Sequence, residues 1–299
     1  MARILVTGGA GFIGSHLVDA LIKKNHHVTV ADDLSVGKSK FVNSKAAFCK
    51  VKIQSPLLKM IFKKGKFDYV YHLAAQKNLQ FSKNHPVEDA QTNIIGSLNI
   101  LSLSKLFKVK KIVFYSTAAV YDPLDVPPNK ESDPVNPKTP YGIAKYAVEK
   151  YIQSSGLLYS ILRLSNVYGP RQDAEGEGGV VAIFARKLAQ RIPPSIYNSG
   201  RQTRDFIYVD DVVKASVSAV ANSSNQTVNI STNQETTVNE LFQIMRQIAQ
   251  NELQPICGKK IQEQKRSALA NSIAWRTLHW QPTTPLKKGL LKTYHFFTK

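Results

Sequence analysis

The chain is short of acid. Only 21 Asp and Glu stand against 40 Lys and Arg, a formal net charge of +19. An excess of that sign is compatible with nucleic-acid binding. The lysines are scattered, however, with local clusters only at Lys63-Lys64-Gly65-Lys66, Lys108 to Lys111 and Lys259-Lys260. There is no basic helix, no zinc-ligand spacing and no aromatic ribonucleoprotein motif, so no dedicated nucleic-acid partner is expected. The positive field reads as a general surface property, one that favours small anions such as nucleotides.

Cysteine is almost missing. Cys49 and Cys257 lie far apart, which argues against a disulfide framework and a metal site and leaves two free thiols. Long apolar runs are missing as well: none approaches the roughly 20 residues that span a bilayer. The start, Met1-Ala2-Arg3-Ile4-Leu5-Val6, runs straight into a strand and lacks a signal-peptide layout. A cytoplasmic protein without membrane partner or metal is expected. No internal repeat or low-complexity tract is visible.

What is present suffices for a substantial core: 43% of the 299 residues are apolar, enough for one large domain or two unequal ones. Residues 3 to 32 are the most legible part. Arg3 to Thr7 reads as a strand, Gly8-Gly9-Ala10-Gly11-Phe12-Ile13-Gly14 as a glycine-rich turn, and Ser15 to Lys24 as a helix with Leu17, Leu21 and Ile22 inward. His27 to Ala31 reads as a second strand ending on Asp32. In such a βαβ unit Gly8 permits the tight turn, Gly11 lets the backbone approach a pyrophosphate, and Gly14 lets helix and strand pack closely. The helix N-terminus adds amide donors and partial positive charge for phosphates. Asp32 can accept from both ribose hydroxyls and would repel a 2′-phosphate, which points to NAD rather than NADP.

Further strands are expected at Phe67 to Leu73, Lys111 to Ser116 and Tyr159 to Leu164, with a helix from Pro86 to about Phe107. Strands alternating with helices, none with period-2 amphipathicity, indicate a parallel sheet covered on both faces. Ligands in such sheets collect at the carboxyl ends of the strands, where Thr7, Asp32, Ala74, Thr117 and Ser165 stand. After Tyr168 the alternation breaks: a loop at 173–179, a helix from Val180 to Gln190 and the turn Asn198-Ser199-Gly200 follow. Phe206 to Val209 and the helix Val212 to Ala221 are expected to rejoin the sheet, and a helix is expected from Val238 to Asn251. The fold class is thus α/β, a Rossmann-type doubly wound parallel sheet with a smaller C-terminal α/β substrate-binding lobe. Residues 1–167 plus about 203–222 are assigned to the NAD-binding part, and about 168–202 and 223–299 to the lobe.

Tyr141 and Lys145 are four residues apart. On a helix they share a face, and a nearby cation lowers a phenol towards the range where tyrosinate acts as a base. The same spacing also describes a solvated helix face, so it needs its surroundings to carry meaning.

Those surroundings resemble the extended short-chain dehydrogenase/reductase superfamily, and within it the nucleotide-sugar 4-epimerases. The likeness runs through the glycine turn, Asp32-Asp33-Leu34-Ser35, His72-Leu73-Ala74-Ala75-Gln76, Ser116-Thr117-Ala118-Ala119-Val120-Tyr121, Tyr141 with Lys145, Arg163 to Arg171, and Arg201-Gln202-Thr203-Arg204-Asp205-Phe206. The resemblance implies that Tyr141 removes the proton of a sugar 4-hydroxyl while C4 passes hydride to NAD. Lys145 would hold the nicotinamide ribose and lower the Tyr141 pKa, and Thr117 would hydrogen-bond to the reacting oxygen. It further implies that Phe12, Ile13, Asp33, Ile53, Leu73, Ala74, Ala75 and Lys77 meet the cofactor. Asn166, Val181, Tyr197, Arg204, Lys260 and Ser267 would meet a UDP-sugar, and a homodimer would form through the helices after Pro86 and from Tyr141.

The sequence also departs from the family. Lys52 stands where an adenine-contacting Asp is usual, Asp122 replaces a Gly, and Lys260 replaces a diphosphate-binding Arg, keeping charge but losing the fork. Ser267 or Ala268 occupies the position that gates the sugar pocket; either is small enough to admit an N-acetyl group. Two alternatives to the 4-epimerase remain: another nucleotide-sugar enzyme (uronate epimerase, dehydratase, decarboxylase or reductase), and a non-catalytic NAD-binding protein. Dehydratases and decarboxylases place an acid just after the Ser/Thr; here Ala118 and Ala119 follow Thr117.

Overall fold

In the computed structural model, which describes residues 1–122, 126–175, 179–260 and 264–298, the chain forms two compact units. The first holds Met1–Asp122, Pro134–Arg163 and Val213–Val228; the second holds Pro123–Asp133, Leu164–Val212 and Asn229–Lys299. Positions 176–178 of the loop expected at 173–179 lie outside the described residues.

The first unit is organised on a seven-stranded sheet. Its members are β1 (Arg3–Thr7), β2 (His27–Asp32), β3 (Ala47–Lys50), β4 (Tyr69–His72), β5 (Lys111–Thr117), β6 (Tyr159–Leu164) and, later in the chain, β11 (Gln226–Ile230). Their spatial order is β11-β6-β5-β4-β1-β2-β3, and the neighbours from β5 through β3 pair in parallel. Ile4, Leu5 and Val6 are at most 1% exposed: a strand covered on both faces needs an unbroken apolar run, which is why no alternation shows in the sequence. Leu5, Val70, Ile112 and Ile161 join Phe62, Phe67, Ile100 and Val148 in one core.

Helix α1 (Phe12–Lys23) starts three residues before the expected Ser15. Helix α2 (Leu58–Gly65) is followed by α3 (Leu79–Asn84). The single helix expected from Pro86 is three pieces: α4 (Pro86–Ala90), a π-helical turn at Gln91–Gly96, and α5 (Ser97–Leu106). A π turn inserts one residue and rotates the following face, a feature often found at functional sites. Here it leaves the amide of Asn93 only 1% exposed. Helix α6 (Pro140–Gln153) is capped by Thr139, whose hydroxyl accepts the Gly142 N–H at 3.1 Å.

The second unit contains β7 (Asn166–Tyr168), α7 (Val180–Ala189), β8 (Ser195–Ile196), β9 (Thr203–Arg204), β10 (Phe206–Tyr208) and most of the C-terminal third: β12 (Thr236–Thr237), α9 (Val238–Ala249), β13 (Ile256–Cys257), α10 (Ser272–Leu278) and α11 (Leu286–Phe297). Helix α8 (Val209–Ala221) leaves this unit for the first at Val213. Phe184 of α7 meets Phe242 of α9 edge-on at 5.9 Å. The strands pair in twos, β10 with β7, β12 with β9 and β13 with β8. Phe206–Tyr208 therefore does not rejoin the main sheet, as expected from the sequence; β11 takes the seventh place. A short apolar run beside a helix carries no mark of which edge it will join. The unit boundaries differ from the expected division accordingly, with 203–212, 164–167 and 123–133 in the second unit and 223–228 in the first. No helix among the described residues is long and apolar enough to cross a membrane.

Candidate active site

The glycine turn forms as its residue types dictate. Gly8 has φ +74°, and a Cβ there would sit 2.7 Å from the Ala74 nitrogen, so only glycine lets β1 turn this close to the end of β4. The chain enters α1 through Gly11 with no side-chain cap, which leaves the first amides of the helix, at Phe12, Ile13 and Gly14, as donors for an anion. Asp32, 8% exposed, closes the other side. Its Oδ2 accepts from Ala10 N at 3.0 Å and its Oδ1 from Leu34 N at 2.9 Å. Burial raises its pKa, and these two bonds oppose the rise. Each oxygen keeps further acceptor capacity, so the donor set and the acid suit a dinucleotide with free ribose hydroxyls. Asp33 accepts from Ser35 N and Oγ. Ile53 is buried, and its carbonyl accepts Asn99 Nδ2 at 2.8 Å; Lys52 beside it is exposed.

At the carboxyl end of β5, Thr117 meets Tyr141. The approach depends on Gly142, where a Cβ would fall 2.5 Å from the Ala119 carbonyl oxygen. Thr117 Oγ1 accepts from Ala119 N at 3.2 Å, so its hydroxyl hydrogen can turn to the phenol of Tyr141, whose pKa it lowers. Lys145, one turn on, is 4% exposed and lies 4.5 Å from the centre of the Phe114 ring. Burial pushes the Lys145 ammonium down to about 8, with Glu149 and Asp89 holding it up. The phenol moves opposite to expectation: burial first, and Asp89 second, push Tyr141 up to about 12, against the lowering effect of Thr117. A neighbouring cation alone does not overcome the cost of burying a phenolate.

Between these two features runs a buried hydrogen-bond chain that the sequence did not reveal. Ala74 N donates to Thr7 Oγ1 at 3.3 Å, and Thr7 Oγ1 lies 2.7 Å from His72 Nδ1. His72 Nε2 lies 2.8 Å from Ser97 Oγ, which donates to the Asn93 carbonyl at 2.6 Å. Ser97 thus accepts from Nε2–H and Thr7 donates to Nδ1, an arrangement that holds the ring neutral. Burial, with a smaller contribution from Lys145, depresses its pKa to about 3. From about pH 6.5 down to 3 the unfolded chain therefore binds a proton the native state refuses, and stability is lost as pH falls through that window. His72→Gln should flatten the pH dependence of denaturant stability there by up to ~1.4 kcal/mol per pH unit; an unchanged slope would remove this assignment. Leu73, Ala74 and Ala75 follow His72 as a partly buried loop, and Lys77 is exposed beyond it.

The expected sugar-nucleotide residues lie in the second unit. Asn166 is exposed on β7, in register with Phe206. Arg204 donates through Nη1 to the carbonyls of Thr203 at 2.7 Å and Gln264 at 2.9 Å, which sets it beside the segment that carries Ser267. Ser267 is 9% exposed. Tyr197 is 43% exposed and directly follows β8; the exposed Lys260 lies three residues past β13, the strand that pairs with β8. Val181 is fully buried, so its side chain packs in the core and leaves only backbone to meet a ligand. The organising residue here, missed in the sequence, is Asp205. It is 1% exposed and accepts from Thr232 N and Oγ1, Asn233 N, Leu269 N and Ser165 Oγ.

Among the described residues no group of three or more His, Cys, Asp and Glu is placed to hold a metal ion. A cavity of about 670 Å³ in the first unit opens among Arg3, His27, Lys45 and Phe67, at the amino ends of the strands and away from the site above.

The comparisons with known proteins agree with this geometry. The model of the NAD dependent epimerase/dehydratase family matches residues 4–231. A UDP-glucose 4-epimerase of Mycolicibacterium smegmatis is 37% identical, the match covering 99% of this chain and 98% of that protein. The crystal structure of a UDP-glucose 4-epimerase with UDP-glucose from Thermotoga maritima superposes with a TM-score of 0.96 at 42% identity, covering 98% of each chain. UDP-glucuronic acid decarboxylase 1 of Xenopus tropicalis is 31% identical over 99% of this chain and 72% of its own length. The chain therefore belongs to the NAD-dependent epimerase/dehydratase family, and its cofactor is NAD.

Proposed function

We propose that the enzyme interconverts UDP-sugars that differ in configuration at C4, UDP-glucose and UDP-galactose first among them. The observation that carries this reading is the placing of Thr117 by Tyr141, whose pKa it lowers, with Lys145 one turn away and two alanines after Thr117. The triad can move a proton at a hydroxyl. No carboxylate stands at Ala118 or Ala119 to assist loss of water or CO2, which weighs against the decarboxylase relatives.

Bound NAD supplies the hydride acceptor and donor at C4 and adds positive charge to the pocket. The chain's own part is the proton. Thr117, its oxygen fixed by Ala119 N–H, donates to the Tyr141 oxygen and favours phenolate there. Tyr141 takes the proton of the 4-hydroxyl as C4 is oxidised and returns it when C4 is reduced on its other face. Lys145 holds a buried positive charge on the same helix face, where it orients the cofactor ribose and offsets the phenolate. A phenol near 12 in the protein alone requires that added charge before it works as a base at neutral pH. Phe12, Ile13 and Gly14 would hold the pyrophosphate and Asp32 the ribose. Asn166, Arg204 and Lys260 are assigned to the sugar nucleotide, with Val181 and Tyr197 at its uridine.

Incubation with UDP-glucose, UDP-galactose, their N-acetyl counterparts and UDP-glucuronate, without added NAD, tests the proposal. Interconversion at C4 is expected; loss of CO2 or water would replace it with the decarboxylase or dehydratase reading. Ser267 is small, and N-acetylhexosamines are expected to turn over as well. Ser267→Tyr should reduce their turnover at least tenfold while sparing the hexoses, since a ring fills the room an N-acetyl group needs; equal turnover of both classes in the variant would sink this.

We also propose a homodimer. Val87, Ile95, Ile143 and Tyr151 are each about half or more exposed, at 68, 49, 52 and 49%. They lie on α4, the π turn and α6, which pack on one another. Apolar side chains grouped this way mark a contact surface. Ile143→Asp with Val87→Glu should give monomers by light scattering at micromolar concentration, where the parent chain gives dimers.

A further inference from the structure

Helix α4 is little more than one turn long, yet it carries a carboxylate that is 1% exposed. Asp89 Oδ1 accepts from Gln76 Nε2 at 2.8 Å and from Asn93 Nδ2 at 3.0 Å. Asn93 in turn closes on the peptide of Gln76. Its Oδ1 accepts Gln76 N–H at 2.9 Å, and its Nδ2 donates to the Gln76 carbonyl at 2.8 Å. Gln76 ends the loop that begins at Leu73, so Asp89 is the buried anchor of a clamp on the cofactor-lining loop.

Both donors to Asp89 are neutral amides, and a carboxylate out of water costs several kcal/mol unless a cation faces it. Helix α6 packs against α4 and brings Tyr141, Lys145 and Glu149. Glu149 is taken up by Arg163, with Nη2 to Oε2 at 2.6 Å. His72 on β4 is held neutral, Lys83 on α3 is exposed, and His85 pairs with Glu88 on the exposed side of α4. Lys145 is the buried cation that Asp89 shares with Glu149, which acts on it the more strongly of the two.

We propose that Asp89 is a positioning residue of the active centre, one that fixes the Gln76–Asn93 clamp and, together with Glu149, supplies buried negative charge that balances Lys145. The inference rests on the assignment of Tyr141 and Lys145 to the proton chemistry. The electrostatics agree with the geometry, because Asp89 raises both the ammonium of Lys145 and the phenol of Tyr141. The carboxylate keeps Lys145 charged in a site that must also accept a cationic nicotinamide.

Two variants separate charge from anchoring. Asp89→Asn keeps an oxygen acceptor for Gln76 and Asn93 but removes the charge; Asp89→Ala removes both. NAD affinity is measured by calorimetry from pH 6 to 10, and turnover over the same range. In Asp89→Asn, affinity at pH 7 should stay within about threefold of the parent, while its alkaline decline and both limbs of the turnover profile move to lower pH by about half to one unit. Asp89→Ala should bind NAD at least tenfold more weakly. Unshifted profiles in Asp89→Asn would overturn the proposal, as would equal loss of affinity in both variants. Should none of the sugars turn over, the reaction assignment fails while the affinity profile still decides the role of Asp89.

Discussion

Tyr141→Phe should lose turnover by roughly two to four orders of magnitude, the range that a positioned general base or acid contributes, and should keep its NAD. The ring is retained, so the packing of α6 against the Thr117–Ala119 turn is unchanged, and the glycine turn, Asp32 and Lys145 are untouched. What disappears is the oxygen that, in the proposed mechanism, Thr117 donates to and that exchanges a proton with the 4-hydroxyl. The defect should therefore fall on kcat far more than on KM. The residual activity should also lose the pH dependence of the parent, because the titrating phenol is gone. Thr117→Ala, which removes the donor but leaves the base, should cost less and should raise the pH needed for half-maximal activity. A Tyr141→Phe enzyme within threefold of the parent would overturn the mechanism.

Arg163→Met should be the most destabilising single change in the first unit, by ~3–5 kcal/mol. The side chains of Arg163 and Glu149 are 5% and 0% exposed. Arg163 binds both carboxylate oxygens, with Nε to Oε1 at 3.0 Å and Nη2 to Oε2 at 2.6 Å, while Ser116 Oγ donates to Oε1. The guanidinium also lies 4.8 Å from the centre of the Tyr121 ring. Taking away the cation leaves Glu149 buried with the Ser116 hydroxyl as its side-chain donor and Lys145 acting on it only through space, so the desolvation cost is largely no longer offset. The double variant Glu149→Gln/Arg163→Met should recover most of the loss, because no uncompensated charge remains. Urea midpoints measure both. A single variant that costs under 1 kcal/mol would show that the pair is dispensable. The pair spans β5, α6 and β6, so the same loss should loosen Thr117 and Lys145, which neighbour Ser116 and Glu149.

How much could be read beforehand varied with the range of the interaction. Gly8, Gly11, Gly14 and Asp32 were legible because their task is done within some 25 consecutive residues, by backbone torsion and by one acid at a strand end. Tyr141 and Lys145 were legible as a spacing, but the direction of the phenol's shift was not. Burial and Asp89 come from other elements. Asn93 was hidden because a π turn leaves no signature in apolar periodicity, and without that turn the clamp on Gln76 cannot be drawn. Phe206–Tyr208 looked like a strand of the main sheet and is one, but of another sheet. Asp205, last acid of the Arg201–Phe206 motif, was quoted as part of a pattern; its five donors come from residues up to 64 positions away in the chain.

By itself the sequence determined the class of fold and the dinucleotide turn with its preference for NAD, and it marked Thr117, Tyr141 and Lys145 as the candidates for the proton chemistry. The first two rest on local rules, apolar run length and glycine torsion; the candidates needed the family likeness besides a four-residue helical spacing. The tertiary structure alone decided which strand completes the sheet, which carboxylates are buried, and in which direction the pKa values of Tyr141, Lys145 and His72 move. These depend on desolvation and on charges brought together across the fold, quantities that no stretch of sequence contains.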